Sequence, residues 1–206
     1  LAILTDEADR IEAQGLKKSA STILTQCREM QSQIDYQITR ARAVAMRSAP
    51  GTVASAHKSA SEVASALNRL HRSRSLTIEN RIEPCVALAC DAQDLKEMLA
   101  NLVDNACKHA TSRVRLSCSK AADDAPISIA VEDDGHGLPP EAYDIVFNIG
   151  ERWDSQKPGA GLGLAIVRDL ARLYGGDVKL GASALGGLKI TLEIPKAFSR
   201  ISSCRR

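Results

Sequence analysis

Three groups of residues have types and spacings that could do chemistry. Asn101, Asn105 and Lys108 fall at i, i+4 and i+7, so a helix would carry two amides and a cation on one face. An amide oxygen is a neutral ligand for a hard cation such as Mg²⁺, and an ammonium is a point charge for phosphate. Such a face is also what ordinary solvation produces. The second group is Val131-Glu132-Asp133-Asp134-Gly135-His136-Gly137, in which Asp133 could accept a hydrogen bond from an exocyclic amine while Gly135 and Gly137 leave room for a flat base. The third is Gly159-Ala160-Gly161-Leu162-Gly163-Leu164, where glycines would let backbone N–H groups approach an anion at the positive end of a helix. A lone glycine cluster serves turns as readily. Two clusters bracketing a polar, poorly periodic segment read as adenine at one end and phosphates at the other.

The elements that must position these residues follow from periodicity. Ile127-Ser128-Ile129-Ala130-Val131 alternates like a half-buried strand, so the carboxylates stand at a strand end. From Leu162 to Tyr174 apolar residues recur at helical spacing, with Gly175-Gly176 as the stop. Asp91 caps a helix running to about Ala110, with Leu95, Met98, Leu99 and Leu102 facing the core and the amides facing outward. Glu62 to Arg72 reads as a further helix. Strands are expected at Leu76 to Ile82, Val86 to Cys90, Val114 to Cys118, Asp177 to Leu180 and Leu188 to Ile194, the last two joined by a Gly186-Gly187 turn. Several strands with three helices on one face describe an α+β two-layer sandwich.

Upstream, apolar residues step by threes and fours from Leu1 to Ala13 and again from Ser19 to Arg47, through Ile23, Cys27, Met30, Ile34, Ile38, Ala41 and Ala45. Two helices with such narrow stripes form a hairpin that pairs most simply with a second copy as a four-helix bundle, giving a homodimer. Pro50-Gly51 marks the boundary, so residues 1–48 form the hairpin, 53–198 the α/β unit and 199–206 a polar tail. The chain opens inside a helical pattern without Met, so a fragment of something longer is expected.

Composition narrows the field. With 206 residues, 44% apolar and 25% charged, the chain is globular rather than disordered. Its 27 basic and 25 acidic residues, with few aromatics, give no footprint for nucleic acid. The cysteines Cys27, Cys85, Cys90, Cys107, Cys118 and Cys204 form no CxxC pair, so free thiols in a reducing compartment are expected. No apolar run approaches the ~20 residues of a membrane helix, and no signal peptide is visible.

Asn101-x-x-x-Asn105-Ala106-x-Lys108-His109 resembles the N box, Asp133-x-Gly135-x-Gly137 the first glycine box and Gly159-x-Gly161-x-Gly163 the second glycine box of bacterial sensor histidine kinases, within the GHKL ATPase superfamily. Asp104 to Lys108, Val131 to Gly135 and Leu185-Gly186-Gly187 are similar to the PhoQ-like, magnesium-responsive subclass. The resemblance implies a Bergerat-type ATP-binding domain that uses ATP and Mg²⁺. Asn105 would hold Mg²⁺, Asn101 and Lys108 would contact phosphates, and His109, at an often aromatic position, would lie beside the base. Asp133 would read the adenine amine, with Gly135 and Gly137. Phe147 would be the lid aromatic, and Arg152 and Lys157 the lid cations. Gly159, Gly161, Leu162 and Gly163 would cradle phosphate, and His136 would face solvent. The hairpin would be the dimerisation and phosphotransfer domain, with a response-regulator receiver domain as partner. The intact protein would sit in the inner membrane with this part on the cytoplasmic side.

Hydrolysing relatives of the gyrase, Hsp90 and MutL types place a glutamate four residues before the metal Asn. Asn101 stands there instead, and an amide takes no proton from water, so ATP is expected to serve transfer rather than hydrolysis. Leu1-Ala2-Ile3-Leu4 resembles the continuation just after the family's phosphoacceptor motif. His57 and His71 lack the flanking acid and proline and read as surface residues. This chain is therefore expected to bind Mg-ATP without phosphorylating itself. Three competing readings are an ATP-hydrolysing member, a dimeric docking scaffold with vestigial nucleotide binding, and a thiol sensor using Cys85 with Cys90 or Cys27 across a dimer.

Overall fold

A computed structural model describes residues 17–46, 52–119, 125–147 and 163–197. Helix α1 spans Lys17–Met46. A two-residue strand β1, Ala54–Ser55, leads into α2, Ala56–Leu70, capped by the Ser55 hydroxyl. Strands β2 (Thr77–Asn80) and β3 (Ala87–Leu88) precede helix α3, Ala92–His109. Strands β4 (Arg113–Ser119) and β5 (Ile127–Asp133), helix α4 (Gly163–Leu173) and strands β6 (Asp177–Ala182) and β7 (Leu188–Ile194) follow, with short 3-10 turns at Arg72–Arg74, Pro140–Ala142 and Ile145–Phe147. The α/β sandwich expected from the sequence is the fold observed. Helix α2 begins six residues earlier than the apolar periodicity suggests, because Ser55 supplies a cap and Ala56, Ser59 and Ala60 are small enough to bury. Strand β3 lies within the strand expected at Val86 to Cys90, whereas its partner β1 escaped the periodicity, two residues being too few to show alternation. The first hairpin helix and the polar tail lie outside the described residues.

Five strands form one sheet in the order β2-β4-β5-β7-β6, with β2 parallel to β4 and the other pairs antiparallel. A parallel neighbour needs a crossover, and α3 lies within it. Alternate residues of the sheet point to the helices: Val114, Leu116, Ile127, Ile129, Val131, Leu188, Ile190, Leu192 and Ile194 are buried with Leu95, Met98, Leu99, Leu102, Val167 and Leu170 in one core. The opposite face is polar. Across it Glu79, Arg115, Glu132 and Lys189 stand side by side in register on β2, β4, β5 and β7, so charge alternates from strand to strand.

Helix α1 packs on α4. Its Ala20 and Cys27 are buried, whereas Met30, Ile34 and Ile38, one helical turn apart, are 50%, 45% and 60% exposed. That leaves a continuous apolar stripe uncovered.

The loop after α3 is tied down by Asp134, whose carboxylate accepts from the backbone N–H groups of Thr111, Ser112 and Arg113 and from the Ser112 hydroxyl. Desolvation opposes ionisation, but these hydrogen bonds outweigh it and hold the carboxyl well below the usual carboxylate range. A depressed folded-state value stabilises the fold above the unfolded carboxylate pKa of ~4, and that stability is lost as pH falls toward the folded value. Asp134→Ala is therefore expected to lower the thermal midpoint at pH 7 by about 3–6 °C. The gap between parent and variant should close in melts taken progressively below pH ~4.

Candidate nucleotide-binding site

Helix α3 is fixed at both ends, and its polar face is thereby aimed. At the start, Asp91 accepts from the N–H groups of Gln93 and Asp94. The Tyr174 hydroxyl, just past α4, donates to Asp94 and accepts from the Asp91 N–H. Burial and the bond to Asp94 push that phenol far above its ordinary value. At the end, the Arg74 guanidinium donates to the carbonyls of Cys107, Lys108 and Ala110, satisfying groups that the last turn leaves open and placing a cation at the negative end of the helix.

Asp133 belongs to the inward-facing row of β5, so its carboxylate points under the helices and is only 2% exposed. Its Oδ1 accepts from Gly135 N at 2.9 Å and Leu188 N at 3.3 Å. Among the described residues Oδ2 has no partner, which leaves the acceptor that an exocyclic amine requires. Burial pushes this carboxyl up, and the two backbone donors hold it partly down.

Two glycines let the surrounding backbone close in. A Cβ on Gly135 would run into the carbonyl of His109, so the first glycine loop lies directly on the end of α3. A Cβ on Gly187 would overlap Asp133 Oδ1 and the Gly135 N–H, which makes the Gly186-Gly187 turn the back wall of the site. Gly137 in turn packs on Gly187. Beside them the rings of His109 and His136 meet edge to face at 6.0 Å, with His136 exposed.

Facing this end across the polar side of α3, Asn101 donates from Nδ2 to the Glu97 carbonyl at 3.0 Å, and its Oδ1 stands where a Cβ on Gly163 would come within 3.2 Å. The start of α4 and the amide face of α3 are therefore adjacent. Asn105, half-buried, makes no side-chain hydrogen bond among the described residues. The Lys108 ammonium pairs with Asp104 at 2.6 Å. Phe147 is buried, with the Arg168 guanidinium 4.7 Å from its ring centre and donating to its carbonyl. Thus His109, Asp133, Gly135 and Gly137 meet at the end of α3, Asn101 meets Gly163 two turns earlier, Asn105 lies on the helix between them, and Lys108 is paired with Asp104. Arg152, Lys157, Gly159, Gly161 and Leu162 lie outside the described residues.

The sequence reading missed several supports. Arg74 and Arg168 act on backbone carbonyls or a ring, which no local spacing encodes. Asp134 carried a signal, its place next to Asp133 at a strand end, but two adjacent acids do not say which is buried. His71 is not the surface residue expected: it is largely buried and bonds Asp104. His57 likewise bonds the Ile82 carbonyl at 2.6 Å. The cysteines Cys27, Cys85, Cys90, Cys107 and Cys118 are thiols rather than disulfides, as expected. Burial pushes the Cys90 thiol up to about 12 and Cys107 up to about 11, away from the reactive thiolate.

The site therefore combines a buried carboxylate walled by glycine, an amide without a side-chain partner among the described residues and the start of a helix. The family model described as histidine kinase-, DNA gyrase B- and HSP90-like ATPase matches residues 90–197. The chain belongs to this ATPase family. It is 34% identical to the sensor protein kinase CarS of Pseudomonas aeruginosa over 95% of this chain and 43% of that protein. Against the sensor protein PhoQ of Escherichia coli identity is 31%, over 92% of this chain and 39% of that protein. The chain thus spans about two fifths of the curated relatives it matches. The ATP-binding domain of PrrB from Mycobacterium tuberculosis superposes with a TM-score of 0.59 at 28% identity, covering 71% of this chain and 98% of that one. Membership implies ATP binding.

Gly135→Ala and Gly187→Ala set a side chain against backbone or a buried carboxylate and are each expected to lower the thermal midpoint by more than ~5 °C. Gly163→Ala meets only the end of the Asn101 side chain and is expected to cost about 1–2 °C or less in the same melts.

Proposed function

We propose that this chain is the catalytic portion of a sensor histidine kinase, and that it binds Mg-ATP for transfer of the γ-phosphoryl group to a histidine rather than to water. The observation that carries the reading is the Asn101 carboxamide at the start of α4, at the position where hydrolysing relatives were expected to use glutamate. An amide already committed through Nδ2 to the helix carbonyl offers only its oxygen, and it has no basic site to activate water. The buried Asp133 orients the base through Oδ2, and the glycine turn at Gly187 keeps water from that side. Asn105 is the candidate ligand for Mg²⁺, and Asn101 and Lys108 the candidate phosphate contacts. Bound Mg-ATP would supply the phosphoryl group; the residues supply binding, orientation and charge neutralisation.

In this reading residues 53–198 are the catalytic domain and residues 1–48 part of the phosphotransfer hairpin. The exposed Met30-Ile34-Ile38 stripe fits a second copy of α1, giving a homodimer. The transferred phosphoryl group would pass on to an aspartate of a response-regulator receiver domain. Among the described residues no helix is long and apolar enough to cross a membrane; a place on the cytoplasmic side of the inner membrane is proposed from the relatives alone.

Calorimetric titration of a nonhydrolysable ATP analogue with Mg²⁺ tests the reading. The parent chain should bind, Asp133→Ala should lose at least ~10-fold in affinity, the value of one buried hydrogen bond to a charged group. Asn105→Asp should change the Mg²⁺ dependence. Absence of binding to the parent would favour a dimeric docking scaffold, and steady release of phosphate from ATP would favour a hydrolase.

A further inference from the structure

Asp104 lies within the polar helix segment but has no role in the site as described so far. Both of its oxygens are taken. Oδ2 meets Lys108 Nζ at 2.6 Å, and Oδ1 meets His71 Nε2 at 2.9 Å, across from the end of α2. Against an acceptor-only carboxylate that imidazole nitrogen must carry the hydrogen. The His71 side chain is 14% exposed, so the bond pins the carboxylate from its buried side. The neighbouring cation Arg74 does not compete, since it is committed to the carbonyls of Cys107, Lys108 and Ala110.

The geometry of the helix gives this arrangement a direction. At ~100° per residue Asp104 lies about 40° to one side of Lys108 and about 100° from Asn105, toward α2. The ammonium is thus drawn to the α2 flank of the helix, away from the Asn105 side of the polar face. Lys108 is 38% exposed, so solvation does not require a counterion there. An incoming phosphate chain must win this ammonium from a fixed carboxylate, and it must also approach that carboxylate's negative charge.

We propose that His71 and Asp104 are positioning residues that park Lys108: Asp104 is a resident counterion which a polyphosphate displaces, and His71 fixes it in place. This rests on the nucleotide reading of the site and adds to it a pair that sets affinity for the phosphate chain and leaves affinity for the base alone.

The test compares adenosine with a nonhydrolysable ATP analogue at fixed Mg²⁺, by calorimetry on the full chain. Asp104→Asn should raise the ratio of analogue to adenosine affinity by about threefold, the order expected for a partly exposed ion pair. His71→Ala should raise it less, in the same direction. In a Lys108→Met background Asp104→Asn should give a smaller gain, because only the repulsion term is left. Retained adenosine binding certifies folding in each variant, and if Asp104→Asn does not fold, His71→Ala carries the test. A ratio unchanged or lowered in Asp104→Asn overturns the proposal, and an unchanged ratio in His71→Ala overturns the part given to His71. Failure of the parent to bind either ligand would instead overturn the nucleotide reading itself.

Discussion

The structure depends on burying a carboxylate in the inward row of a β-strand. Every other inward position of β5 is apolar, and Asp133 ends that row beneath the helices. An ionisable group so placed is tolerable only with donors at hydrogen-bond distance, and backbone N–H groups are the only ones that can come this close without adding bulk. That requirement explains the glycines around it. Gly135 turns back over the end of α3, Gly187 brings β7 against the carboxylate, and no side chain could stand at either place. The rest of the architecture keeps one oxygen of that carboxylate available.

Helix α3 is the second support of the candidate site, and it carries Asn101 and Asn105 one turn apart on one face. Stability at its ends comes from groups outside the helix: Arg74 on the last carbonyls, Tyr174 and Asp91 at the first turn. With the ends held from outside, the middle is free to carry Asn101 and Asn105, residues that contribute little to helix formation themselves.

Much of this was legible in the sequence, and the reason is periodicity. Ile127 to Val131 and Leu188 to Ile194 alternate cleanly because one face is covered and the other wet, and α3 announces itself through Asp91 and its apolar stripe. The candidate site could be proposed from the sequence where residue type and spacing coincide on one element, as for Asn101, Asn105 and Asp133. It was not legible where contact joins distant segments. Nothing near His71 in the chain indicates that it meets Asp104 thirty-three residues later, and nothing near Arg74 indicates three carbonyls at the end of another helix. The start of α2 and strand β1 failed differently: small buried residues and a two-residue strand lack the contrast that a periodic signal needs.

The charged row on the open face of the sheet bears on how the strands find their alignment. An alternating pattern forbids a slip of one residue, which would turn the apolar set outward, but it is indifferent to a slip of two. On β4 and β5 a slip of two would set Glu132 opposite Arg113 in one direction and Arg115 opposite Asp134 in the other, so opposite charges would still meet on the open face. What a slip of two would break is the set of hydrogen bonds at the strand ends, where Asp134 accepts from Thr111, Ser112 and Arg113 and Asp133 from Leu188. Because those bonds close only in the native alignment, the two adjacent carboxylates at the end of β5 align the strand and seat Asp133 beneath the helices at once.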